Sequence, residues 1–199
     1  MTNLVDAGTD SGDDHIDLRS HGYITTFTGA RFYYDHPGPF VMGDISHSLS
    51  LITRFCGHTR FFYSVAQHSI MVSEMMKQDG LSPEEQAAGL LHDAHEAYVG
   101  DVPTPMKWAC PELVALERSI AAALRAAMLP AVHEAIYKNL VKPYDDVVLH
   151  KEAAELLRPV PKWVRAAAGW GYSGLSVRFR NPLYVEQEFH MRAKVLGLA

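Results

Sequence analysis

The sequence predicts an all-α fold, a single bundle of helices with one short extended or hairpin arm near its N-terminus. Three observations support it. Apolar residues recur at helical spacing through most of the chain from residue 45 to residue 196. Helix-start chemistry is explicit, as in Ser82-Pro83-Glu84-Glu85 and Asn181-Pro182. Only residues 23–40, YITTFTGARFYYDHPGPF, are rich in β-branched and aromatic side chains. A length of 199 residues fits one domain able to bury a core without staples.

Residues 1–17 hold Gly, Ser and Asp and little to bury, which predicts a loose tail ahead of one domain over residues 18–199. The arm over residues 23–40 is broken by Gly29 and by the Pro37-Gly38-Pro39 turn. Asp44 is a plausible N-cap for a helix over residues 45–55, where Ile45, Leu49, Ile52 and Phe55 recur and Gly57 ends the run. Phe61, Val65, Ile70, Val72, Met75 and Met76 predict a second helix, with His68 on it, and the Phe61-Phe62-Tyr63 run reads as core. A third helix starts after Ser82, passes through His92 towards Tyr98, and stops at Gly100. Pro103-Thr104-Pro105 reads as a rigid loop, and Pro111 opens an Ala-rich helix to about residue 128. Helices follow over about residues 130–140 and 145–157. A Gly- and aromatic-rich loop over residues 169–179 precedes a last helix to about residue 196.

Bulk properties exclude several function classes. A net charge of −5 argues against binding a nucleic-acid polymer through its phosphates. No apolar run approaches the roughly 18–20 residues that span a bilayer. With no signal peptide, Cys56 and Cys110 read as reduced thiols of a soluble cytoplasmic protein. Eleven histidines are a surplus and raise the prospect of metal chemistry.

That chemistry concentrates in LLHDAHEAYVGDVPTPMK, residues 90–107. His92, Asp93 and Glu96 fall within one turn, and helical spacing sets Glu96 beside the His-Asp pair. An imidazole and a carboxylate on one element need further ligands from others, and His68 and Asp145 on neighbouring predicted helices supply them. Two His and two Asp suit a divalent transition metal with open positions for water and phosphate oxygens. Phosphate ester hydrolysis asks for such an ion, to neutralise phosphoryl oxygens and to acidify water. Glu96, close but not needed as a ligand, could act as general base or acid. An isolated His-Asp pair is common by chance; the distributed set is far more specific. The bland alternatives are a core histidine at 68, a surface pair at 92–93, a solvated Glu96, and an Asp101 that caps a turn after Gly100. His47, His58, Arg60 and His95 lie near in sequence but step off the site, so a structural or supporting use fits them better.

The string His68…His92-Asp93…Asp145 resembles the H…HD…D signature of the HD-domain phosphohydrolase superfamily. Within it, HDAHEAYVGDVPTPMKW is similar to the bacterial 5′-deoxynucleotidases, whose segment reads much like HDASE…TGDLPTPVKY. It is equally similar to the phage dATP triphosphohydrolases of the DatZ type and to prophage hydrolases with segments like RFxGHTRxFYSVAQHS. The likeness covers roughly residues 45–157. It implies an HD helical bundle, with His68, His92, Asp93 and Asp145 as metal ligands and with catalytic roles for Glu96 and Asp101. It further implies phosphate or substrate contacts from Arg54, Lys107 and Lys142. Asp146 competes with Asp145, but Asp145 lies seven before Glu152 in KPYDDVVLHKEA, a pattern resembling the family's last motif. Phe55 stands where the family usually has Trp; it can pack on the deoxyribose but has no indole N–H, so base selectivity does not transfer.

The expectation is a hydrolase that attacks the α-phosphorus of a deoxynucleotide, with a divalent metal ion (Co, Mn, Zn or Mg) as cofactor. Lys107 and Lys142 favour a triphosphate, since each added phosphate needs compensating charge; the resemblance suggests dATP. A 5′-deoxynucleotidase acting on monophosphates is the runner-up, and a degenerate nucleotide-binding module is the rival from another class. The resemblance also implies a homo-oligomer, a dimer or a hexamer.

Overall fold

A computed structural model describes residues 22–132, 134–165 and 171–198. The expected tail over residues 1–17 lies outside them, as do the first two residues of the expected loop over 169–179. The described part of that loop, residues 171–179, carries no helix or strand.

The arm is a two-stranded antiparallel hairpin, β1 (Tyr23–Thr25) and β2 (Arg31–Tyr33), with Ile24 opposite Phe32. Phe32 is fully buried and stacks on Tyr98 at 3.9 Å, which seats the hairpin on the helices. Helix α1 (Met42–Leu51) begins earlier than expected, and Asp44 is not its N-cap. Instead Asp44 is buried in the first turn, where its carboxylate accepts from the Thr28 N–H at 2.7 Å and the Thr28 hydroxyl at 3.0 Å. The helix stops at Leu51, not Phe55, because the chain turns extended there. Thr53 bridges Ser64, and the Arg54 N–H donates to the Tyr63 carbonyl at 2.9 Å.

Helix α2 (Val65–Gln78) starts after Ser64 rather than at Phe61. Ser64 and Gln67 form a reciprocal capping box, so Phe61 to Tyr63 precede the helix, and Tyr63 is fully buried as expected. Helix α3 (Pro83–Leu91) opens with the expected box between Ser82 and Glu85. It does not continue to Tyr98. The α-helix ends at Leu91, residues 92–95 form turns, and α4 (Glu96–Val99) follows as one short turn. Gly100, at φ 83°, takes a backbone conformation that a side chain disfavours and reverses the chain.

Residues 103–105 are not a rigid loop: Thr104–Ala109 is a helix, α5, that tolerates Pro105 in its first turn, where N–H groups lack intrahelical partners anyway. Helix α6 (Pro111–Met128) is as expected. A three-residue helix α7 (Glu134–Ile136) and a π-helical stretch, Tyr137–Val141, lead into α8 (Lys142–Leu156). Asp145 therefore lies inside the first turn of α8, not at its cap. Helix α9 (Pro182–Val195) is capped by Asn181, whose side chain accepts from the Leu183 N–H at 3.0 Å.

Helix α2 is central, with almost every residue buried. On one side Ile45, Leu49, Ile70, Leu90, Leu124 and Phe189 join α1, α2, α3, α6 and α9 into one apolar cluster. On the other side Val72, Met75, Met76, Ala88 and Val148 join α2, α3 and α8 into a second. The contact of α2 with α3 depends on Gly89. A Cβ there would lie 2.4 Å from the Met76 sulfur and 3.5 Å from the Ser73 Cα. No described helix is long and apolar enough to cross a membrane.

Candidate metal centre

Two helices and one turn converge on a single point. Helix α2 presents His68, the turn after α3 presents His92 and Asp93, and α8 presents Asp145. His68, His92 and Asp145 each offer one donor atom, and these lie within 4.8 Å of one another. The His68 Nε2 atom is 3.2 Å from His92 Nε2 and 3.1 Å from Asp145 Oδ1. Asp93 is not one of that group of three but stands beside both rings, its Oδ2 3.0 Å from His92 Nε2 and 3.6 Å from His68 Nε2. The His-Asp pair does so from a turn rather than from mid-helix, which lets adjacent residues aim at one point.

The hydrogen bonds behind the rings show what this point is suited to hold. His68 Nδ1 lies 2.9 Å from Glu152 Oε1, and His92 Nδ1 lies 2.8 Å from the Gly89 carbonyl oxygen. The carbonyl and the ionised carboxylate only accept, so each Nδ1 carries the hydrogen and each neutral ring turns a bare Nε2 lone pair inwards. Two such lone pairs at 3.2 Å, flanked by two carboxylates, repel unless a cation sits among them. The donor set fits a divalent ion with imidazole and carboxylate ligands. The same carboxylates favour positive charge at this point. Burial and Arg54 lower the His68 imidazole, but the Glu152 and Asp145 carboxylates outweigh them and raise it to about 9. Burial works against ionised Asp93 and Asp145; the neighbouring histidines prevail and hold both well below the usual carboxylate range.

Arg54 stands next to this group, buried at the start of the Arg54–Gly57 turn. Its Nε and Nη2 donate to Glu152 Oε2 at 3.3 and 3.2 Å. Its Nη1 lies 3.6 Å from Asp101 and 4.0 Å from Asp93, on the metal side. Burial disfavours its charge, yet Glu152, Asp101, Asp93 and Glu96 keep the guanidinium firmly protonated. Phe55 follows in a left-handed conformation, φ 54°, as does Cys56 at φ 51°. Two successive non-glycine residues in that region are strained, and the turn sets the Phe55 ring under the guanidinium at 5.5 Å.

Glu96 opens α4 and is 4 % exposed, with Oε2 lacking a hydrogen-bond partner. Burial, then Asp93 and Asp101, push its carboxyl well above the ordinary range. Burial also raises Asp101, although the Arg54 guanidinium opposes it. Both lysines already have partners. Lys107 lies 3.1 Å from buried Glu117 of α6, and Lys142 lies 2.8 Å from Asp145 and 2.5 Å from Asp146. Asp146 is half exposed and takes no part in the donor group.

Two buried carboxylates in this network were not singled out from sequence. Glu152 has a legible signal: seven residues after Asp145, it returns to the same helix face two turns on. Glu117 has none, because nothing local marks it as the partner of Lys107.

Residues 50–160 match the family described as 5′-deoxynucleotidase YfbR-like. The chain is 43 % identical over 137 residues to the uncharacterized protein YfdR of Escherichia coli, covering 67 % of this chain and 72 % of that one. It is 34 % identical over 171 residues to an uncharacterized protein of Rhodobacter capsulatus, covering 77 % of this chain and 83 % of that one. The chain belongs to the YfbR-like 5′-deoxynucleotidase family, metal-dependent phosphohydrolases of the HD superfamily.

Proposed function

We propose that this chain hydrolyses the 5′-phosphate ester of deoxynucleoside monophosphates, releasing deoxynucleoside and orthophosphate. The observation that carries this reading is the convergence of two bare imidazole nitrogens and two carboxylates beside a buried, charged Arg54. His68, His92, Asp93 and Asp145 hold the divalent ion. When bound, such an ion neutralises phosphoryl oxygens and makes water a better nucleophile. Arg54 directs Nη1 towards the phosphate, its other edge being fixed by Glu152. Asp101 keeps that nitrogen aligned from the opposite side. Glu96, with one buried oxygen free of partners, holds the proton that the departing 5′-oxygen takes up. Phe55 walls the deoxyribose side.

The monophosphate is favoured over a triphosphate because the cations a polyphosphate chain would use are engaged. Lys107 is paired with Glu117, and Lys142 with Asp145 and Asp146. A second reading, a dATP-type triphosphohydrolase releasing deoxynucleoside and triphosphate, draws on Lys142, which is 55 % exposed beside the metal group. A panel of dNMPs, dNTPs and NTPs with Co, Mn, Zn and Mg separates the two. Orthophosphate from dNMPs is the expected product. Inorganic triphosphate from dNTPs, with dNMPs untouched, would discard the first reading and carry the second.

A further inference from the structure

We infer that Glu152 is a positioning residue that ties the metal ligand His68 to the phosphate-binding Arg54, so that one carboxylate sets both metal affinity and phosphate affinity. The inference rests on the site reading given above. Glu152 is fully buried on α8, and its two oxygens serve two different masters. Oε1 faces His68 Nδ1 at 2.9 Å, and Oε2 accepts from Arg54 Nε and Nη2 at 3.3 and 3.2 Å. Holding the hydrogen on His68 Nδ1 leaves Nε2 as a lone pair, the only form of that ring able to bind a metal at this point. Occupying the Nε edge of Arg54 leaves Nη1 for the interior, where Asp101 and Asp93 lie. One carboxylate therefore fixes both the tautomer of a ligand and the direction of a guanidinium.

Glu152 also comes from the same helix as Asp145, two turns further on, so α8 delivers a metal donor and the brace of the facing donor as one rigid unit. Nothing else buried beside His68 Nδ1 accepts from it among the described residues.

Glu152→Gln tests the assignment, because an amide cannot do both tasks. If its oxygen faces Arg54, its NH2 points at His68 Nδ1 and drives the hydrogen to Nε2, which blocks the metal. If its oxygen faces His68, its NH2 meets the guanidinium and displaces Arg54. With the amide oxygen on Arg54, Co(II) affinity of the full chain, read by titration calorimetry, is expected to weaken by about 10–100-fold. With the oxygen on His68, inorganic phosphate binding to Co(II)-saturated protein is expected to weaken by a similar factor, and KM for a dNMP to rise more than kcat falls. A residue that only filled the core would lower Tm and leave both affinities of the folded protein unchanged, and that result overturns the proposal. Should Glu152→Gln fail to fold, Glu152→Asp keeps the charge but is one methylene short of spanning both partners. At least one of the two affinities must then drop tenfold; both at wild-type values overturns the proposal. Asp93→Ala, which loses Co(II) only if the site itself is correct, separates failure of this inference from failure of the site.

Discussion

Glu152 and Glu96 are both buried carboxylates within the field of Arg54, yet the two walls that carry them are built differently. On the α8 wall both oxygens of Glu152 have partners, and burial is overcome by His68 and Arg54, so the carboxylate stays ionised. On the α4 wall Glu96 Oε2 has none, and burial pushes that carboxyl the other way. Removing a partner on the α8 wall would strand a buried charge, which is strongly destabilising. A buried carboxyl with an unpartnered oxygen and a raised proton affinity suits proton exchange. The difference fits the proposed division of labour, with the α8 wall holding geometry and the α4 wall facing the reaction.

The comparison can be broken at either wall. Asp93→Ala removes a donor shared by both rings; activity is expected to fall to background, with the helical CD signal retained, and surviving activity would discard the site. Glu96→Gln touches only the reacting wall. It is expected to lower kcat by roughly 10²–10⁴-fold while Co(II) affinity stays near wild type. Loss of Co(II) binding in that variant would erase the distinction between the walls. Arg54→Ala leaves Glu152 buried without its guanidinium and should destabilise the protein by about 3–5 kcal/mol, measured by urea unfolding. Adding Co(II) at about 100 times its Kd should raise stability by roughly 2.7 kcal/mol, seen as an increase in Tm that EDTA reverses. Lys142→Ala, at an exposed ion pair, should change stability by less than about 0.5 kcal/mol and leave KM for a dNMP near wild type, whereas a raised KM for a dNTP would favour the second reading.

What could be read from the sequence follows from how local each signal is. The box at Ser82 and Glu85, the cap at Asn181 and the periodicity of α6 depend on residues within a turn or two, and all are found where expected. The break after Leu91 is not local. His-Asp-Ala-His contains no Gly or Pro, and the helix ends where the His92 ring hydrogen-bonds the Gly89 carbonyl and Asp93 swings towards His68. The start of α1 is hidden for a related reason. Asp44 resembles a cap, but its carboxylate is claimed by Thr28 of the hairpin, sixteen residues away. At the site, the meeting of His68, His92, Asp93 and Asp145 was legible because such a set across several helices is rare by chance. Phosphate roles for Lys107 and Lys142 came only from likeness to relatives. Spacing could have paired Lys142 with Asp145 and Asp146, three and four residues on, but not Lys107 with Glu117 of another helix.

Gly89, three residues before His92, bears on how far apart the two imidazoles stand. They hang from α2 and from the turn after α3, so the span between their nitrogens is inherited from the spacing of those helices. A methyl group at position 89 would come 2.4 Å from the Met76 sulfur, so the thioether must move aside before the helices can keep their distance. The geometry of the donors thus leans on a seam one turn away from any of them.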